Sequence, residues 1–278
     1  SNKGEIYLTG NLARDRSDSL VCNASLLSSN VYYENDAWTI NPSKLLIHGS
    51  NIKVDNFSAT CNDQSLQIRG GISKDKRDTL AINLVKFNIG LINSLISQNL
   101  SISGLATGKA LITSKPGSQR GILANLTCDS TLVAGKRAGM VKMASSWDNQ
   151  DNKFDIFLSN ELDGRSTINA KAAYYPESNS IRATATLEGM DIAYAGPLLS
   201  SIFSGTDGRI WGEIHAEGPL DKLMISSSGT RFDNAIFKVV FTNVAYMANG
   251  PFHLTQEGLF FDNIVIKDRS GGSGTING

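Results

Sequence analysis

His48, His215 and His253 are the only imidazoles in the chain, and none has a second His, Cys or carboxylate at a spacing that would close around a metal ion. They read as ordinary strand or surface histidines. Cys22, Cys61 and Cys128 are odd in number, far apart and without a CxxC pair, which argues against a zinc site or a redox dithiol. One disulfide or three buried free thiols both stay open, and free thiols are the simpler reading. There is no Gly-x-Ser-x-Gly elbow, no phosphate loop and no carboxylate pair on a recognisable scaffold. Gly271, Gly272, Ser273 and Gly274 follow a strand-like segment but precede no helix, so a turn is expected there rather than a phosphate cradle. Asp221 and Lys222, like Asp268 and Arg269, read as surface or turn charges. Trp38, Trp147 and Trp211 could stack on sugars, yet they are scattered, which favours packing. The expectation is a protein that is not an enzyme, with no catalytic residue, no metal and no cofactor.

The elements that would carry any function are strands. Charged residues make up 19% of 278, with 26 basic and 26 acidic side chains, so no net field draws nucleic acid or an anionic membrane. Ser, Thr and Asn dominate the polar positions, as on the solvent side of strands and in turns. Ile210, Ile214 and Ala216 share a parity with Gly212, while Arg209, Trp211, Glu213 and His215 take the other, the period-two pattern of a half-buried antiparallel strand. Phe237, Val239 and Phe241 repeat it. After Phe261 the parity shifts to Ile264 and Ile266, which predicts a turn or bulge at Asp262–Asn263. Further back, Leu66 goes with Ile68, and Leu80 with Ile82 and Leu84; Phe154, Ile156 and Leu158, then Ile168, Ala170 and Ala172, then Ile181, Ala183, Ala185 and Leu187, do the same. Turn signals at Asn62–Asp63, Gly70–Gly71, Lys74–Lys76, Asp148–Asn149, Asp163–Gly164 and Pro176–Asn179 separate these runs.

Self-similarity divides the chain. Residues 87–97 are echoed about 103 residues later by 190–200, and Gly104-x3-Gly108 by Gly208-x3-Gly212. Each copy reads as a short helix followed by a Gly-x3-Gly strand, giving segments 1–86, 87–189 and 190–278. In the second copy Ala195, Leu198, Leu199, Ile202 and Phe203 follow helical spacing, Pro197 fits a first turn and Gly205 a left-handed stop. The first places Ile89, Ile92 and Ile96 on one stripe with Leu95 beside it. These helices are expected to plug the sheet; alternatively Leu198, Leu199, Ile202 and Phe203 form a movable gate.

A sheet with one apolar face needs a partner, and two short helices cannot cover fifteen or more strands. Laid out singly at about 4.8 Å per strand it would run roughly 75 to 95 Å, long enough to curl or split. The alternatives are a sandwich or a long sheet folded into a trough, and the small residues Ala170, Ala172, Ala183 and Ala185 suit tight curvature. The expected fold is all-β, an elongated curved antiparallel sheet with an apolar interior and two short helices. Its groove candidates are Leu66, Ile68, Ile82, Leu84, Ile156, Leu158, Ala183, Ala185, Leu187, Ile210, Ile214, Val239, Phe241, Phe261, Ile264 and Ile266.

Gly208-x3-Gly212-x5-Gly218-Pro219-Leu220, the strand Asn243-Val244-x-Tyr246 and Asp268-x-x-Gly271-Gly272-x-Gly274, in that order, resemble the C-terminal region of the TamB-like translocation and assembly proteins, which belong with the AsmA-like bridging family. Residues 38–43, Asp55 to Phe57, Gln64 to Gly70 and Ser145 to Asp148 extend the resemblance more weakly. It implies a taco-like sheet holding phospholipid acyl chains, in the periplasm of a diderm bacterium. It also implies a parent protein anchored in the inner membrane through an N-terminal segment outside this sequence, and a BamA-like outer-membrane barrel as partner. Lipid transport between the membranes is the implied role, with help in outer-membrane protein assembly beside it; the family supplies no active-site motif. A β-sandwich or solenoid glycan-binding or adhesin module is the reading from another class, resting on the tryptophans. A β-helix polysaccharide enzyme would need clustered carboxylates, which the sequence lacks.

Overall fold

The computed structural model describes residues 3–33, 36–74, 78–93, 101–114, 121–268 and 270–278. Among them 21 strands form one antiparallel sheet that does not close into a barrel. The strands are β1 (Lys3–Glu5), β2 (Leu8–Arg14), β3 (Leu20–Leu26), β4 (Ser29–Tyr33), β5 (Asp36–Ile40), β6 (Ser43–His48), β7 (Asn51–Cys61), β8 (Gln64–Ile72), β9 (Asp78–Asn88), β10 (Ile102–Ser114) and β11 (Gly121–Val133). They continue as β12 (Lys136–Asp148), β13 (Lys153–Glu161), β14 (Ile168–Tyr175), β15 (Ser180–Asp191), β16 (Phe203–Pro219), β17 (Met224–Val239), β18 (Ala245–Leu254), β19 (Leu259–Phe261), β20 (Ile264–Asp268) and β21 (Ser273–Ile276). The all-β expectation holds.

The chain divides into two compact units: residues 1–88, 105–128 and 144–154, and residues 89–104, 129–143 and 155–278. In the first, β2 pairs with β3, β3 with β6, and β6 through β10 follow as successive antiparallel neighbours, while β1, β4 and β5 reach the sheet through β7. Opposed residues of an antiparallel pair share a face. Leu66 lies opposite Leu84 and Ile68 opposite Ile82, and Leu84 and Ile82 lie opposite Gly108 and Ala110, so the sequence parities merge into one apolar surface. Bulges at the positive-φ residues Asn56 and Lys86 correct the register and keep that surface on one side.

In the second unit β14 to β18 are successive neighbours, with β20 and β21 beyond them. Ala170 faces Ala185 and Ala172 faces Ala183; Ala185 then faces Ile214 and Ala183 faces Ala216. The opposite face is polar. Arg182 bonds Glu217 at 2.7 Å, and His215 stands between Thr184 at 3.2 Å and Ser228 at 3.0 Å. The repeated Gly-x3-Gly motif has a steric cause. At Gly108 a Cβ would collide with the carbonyl of Asn125; at Gly212, φ +114°, it would lie 2.6 Å from the Gly229 oxygen, so the neighbouring backbone passes where a side chain would stand.

Several local expectations are corrected. The second predicted helix is a 3-10 helix over Ile192–Leu199, and its periodicity breaks before Ile202 and Phe203, because Phe203 already opens β16. Gly205 lies inside that strand without a left-handed φ. The first is a 3-10 helix over Ile89–Ile92; Leu95 and Ile96 lie outside the described residues. Gly70–Gly71 does not break β8, since Gly70 opposes both Val54 and Leu80. Phe241 belongs to no strand: β17 stops at Val239, and the turn after it leaves the ring 95% exposed. Asp163–Gly164, Pro176–Asn179 and Asp262–Asn263 do form turns or bends, with Asp163, Gly164, Asn179 and Asn263 at positive φ. Of the Lys74–Lys76 signal, 75 and 76 lie outside the described residues.

Candidate functional site

Each unit carries a packed end and an open stretch of the same apolar face. In the first, Trp38 meets Phe87 edge-on at 5.8 Å, and Phe87 stands opposite Ala106; all three are buried. Away from that plug Leu66, Ile68, Ile82 and Leu84 are only half-buried. In the second unit Leu187, Ile192, Ile210, Phe232, Ala235, Ala248, Phe252 and Ile264 form a tight core, with Phe232 stacked on Phe252 at 4.1 Å. Leu187, Ile210 and Ile264 are thus walled in by the chain itself, with Phe261 and Ile266 against them.

The open stretch of the second unit is built by β13 to β16. Ile156 and Leu158, with Ala170, Ala172, Ala183, Ala185, Ile214 and Ala216, line a depression of about 140 Å³ that opens to solvent. Lys171 and Thr184, which alternate with the alanines, also border it, and five of the lining residues are alanine. A strand pair needs its inward side chains only to fill space, and alanine leaves space unfilled. Five of the sequence-predicted groove residues, Ile156, Leu158, Ala183, Ala185 and Ile214, converge here. Val239 stays at the far end of β17 opposite Phe203.

The second 3-10 helix is tied down at its start. Asp191 caps it, accepting the Ala193 amide at 2.8 Å, and Ile192 is 1% exposed in the core. Burial, then the Asp191 charge, raises the Tyr194 phenol, which stays protonated and donates to the Arg137 carbonyl at 2.6 Å. Of the gate candidates, Leu199 is half-buried, Ile202 is exposed in the turn, Phe203 packs its ring 4.9 Å from Phe237, and the Leu198 side chain lies outside the described residues. Asn160, unread in the sequence, is a buried staple: its amide donates to the Ala138 carbonyl at 3.0 Å and the Thr167 hydroxyl at 2.9 Å, and its oxygen accepts the Ile168 amide at 2.8 Å. No periodicity signals such a residue.

The cysteines, histidines and tryptophans of the sequence take the following places. No disulfide joins Cys22, Cys61 and Cys128; Cys61 is buried, and its thiol is pushed up by that burial. His48 and His253 pair with single carboxylates, Asp15 at 2.6 Å and Asp262 at 3.3 Å, and among the described residues no cluster of three metal-ligating side chains occurs. Trp147 packs against Phe154 at 4.6 Å, and Trp211 lies beneath the Arg231 guanidinium at 5.1 Å. The tryptophans therefore sit in packing contacts. Comparison with protein-family models, with curated proteins and with solved structures found no match.

Proposed function

We propose that this chain is a lipid-conducting segment of a TamB-like bridge, working in the periplasm and holding phospholipid acyl chains on its apolar face as they pass between the inner and outer membranes. The observation that carries the reading is the open, alanine-floored depression on the registered apolar face of β13 to β16. Moving one sixteen-carbon chain through water costs on the order of 12 kcal/mol at about 0.8 kcal/mol per methylene, and a continuous apolar surface removes that barrier. A volume of about 140 Å³ falls below the roughly 300–1,000 Å³ of pockets that enclose a small ligand. It suits a grip on part of a flexible chain, as transport by repeated weak holds requires. The parent protein's membrane anchor and a BamA-like barrel partner belong to the same proposal.

The test is a photocrosslinking amino acid at position 183, on the floor, and another at 184, whose hydroxyl faces outward to His215. Expression in a diderm host followed by mass spectrometry should find phospholipid adducts at 183 and none at 184. No adduct at 183, or equal adducts at both, rejects the reading. Among the described residues β2 is paired with β3 and exposed at all seven of its positions, which favours a second role in outer-membrane protein assembly, because an exposed sheet edge templates an incoming strand. Crosslinking from Asn11 to an outer-membrane substrate would test it; its absence under secretion load would count against it.

A further inference from the structure

We infer that the turn after β17, together with the turn entering β16, forms a membrane-contacting tip that inserts Phe241 into the interface of a phospholipid bilayer. The two turns are joined by the Val240 amide, which donates to the Ile202 carbonyl at 2.9 Å, and Phe203 stands in register with Val239. The β17 turn is tight: the Asn243 amide donates to Val239 at 2.9 Å and the Val239 amide to Val244 at 3.0 Å, with Asn243 at positive φ. Phe241 is therefore held outward by a closed turn, with Ile202, Val240 and Val244 exposed around it.

Charge selects the occupant. Residues 192–206 and 239–249 contain no Asp, Glu, Lys, Arg or His, although charged residues are 19% of the chain. A protein partner tolerates charge at the rim of its contact, whereas the acyl boundary of a bilayer penalises every ion brought into it. Lys238 lies exposed at the base of the tip, where its long side chain can reach lipid phosphate while the apolar residues go deeper. Asp207, the nearest acidic residue on β16, lies 3.7 Å from the ammonium of Lys136. A second copy of the chain fits poorly: one aromatic side chain of roughly 150–250 Å² with three aliphatic neighbours falls short of the about 800 Å² per partner of a stable interface. This surface is separate from the alanine floor, so the two assignments stand or fall independently.

Flotation of the intact chain with vesicles of phosphatidylethanolamine and phosphatidylglycerol at three to one, and with pure phosphatidylcholine, tests the assignment. The wild-type chain should float with both, more strongly with the anionic mixture. Phe241→Ser should raise the lipid concentration for half-binding by about tenfold, the scale of one lost aromatic anchor. Phe241→Trp should bind within about twofold and be quenched by brominated acyl chains. Because the ring makes no core contact, an unchanged circular dichroism melt is expected in both variants, and Ala183→Trp should leave flotation intact. Failure of the wild type to float, equal flotation of Phe241→Ser, no bromolipid quenching, or lipid-free self-association abolished by Phe241→Ser would each overturn it.

Discussion

Replacing Ala183 by leucine asks whether the alanine floor has room for an added side chain. Ala183 lies between Ala172 and Ala216 in register and lines the depression. Leucine adds three carbons, worth about 2.4 kcal/mol if fully buried at about 0.8 kcal/mol each. On a half-exposed face roughly half of that is realised, giving a variant between neutral and about 1 kcal/mol more stable. At a packed site the same change forces neighbours off their rotamers and costs about 1–3 kcal/mol. Ala235, 0% exposed inside the core, supplies the packed comparison. In a reversible thermal melt monitored by circular dichroism, about 2–4 °C per kcal/mol separates the two signs. Ala183→Leu should hold or raise Tm, and Ala235→Leu should lower it by about 2–12 °C. If Ala183→Leu fell as far as Ala235→Leu, the floor would be a filled core and the lipid reading would lose its basis.

Asp191→Ala removes the cap of the second 3-10 helix and should cost about 0.5–2 kcal/mol, read as a lower denaturant midpoint with unchanged slope. Gly212→Val meets both the +114° φ and the Gly229 carbonyl; it should leave little folded protein, while Gly164→Ala, at a turn with open space, should remain folded when both are scored by soluble yield. Asp15 organises the β2–β3 turn. The Ser17 hydroxyl at 2.7 Å, then His48 at 2.6 Å, then the Ser19 amide at 2.9 Å hold its carboxyl well below the usual carboxylate range. A lowered folded value means that the stabilisation is present above the ordinary value near about 4 and is lost as pH falls through the folded value. Hydrogen exchange at Ser17 and Ser19 should accelerate relative to its intrinsic rate below about pH 4, and Asp15→Asn should abolish that dependence.

Periodicity read the strand faces correctly where strands are long and one side is consistently apolar. Leu66, Ile68, Ile82 and Leu84 were legible as one face because parity survives pairing, and opposed residues must point the same way. What parity cannot carry is depth. Ile210 and Ile214 lie on one strand with one parity, yet Ile210 is buried inside the core while Ile214, partly buried at its margin, also lines the open depression. That difference is made by Phe232, Phe252 and Ile264, which arrive from other strands. Residues 3–40 form five short strands that left no readable run, since their large apolar side chains, such as Leu8, Leu12 and Tyr32, are exposed. Phe241 shows the converse failure: its alternation with Val239 was real, but the hydrogen bonds from Asn243 and Val244 turn the backbone before the strand reaches it.

Five methyl groups floor the depression between the larger side chains of Ile156, Leu158 and Ile214. An apolar guest that slips by two residues along such strands, roughly 6–7 Å, meets nearly the same chemistry again. On the proposed function, an acyl tail would therefore find two alike positions, at Ala170 and Ala172 on β14 and at Ala183 and Ala185 on β15, instead of one shaped socket. Smoothness rather than tightness of fit is what this patch of alanines contributes.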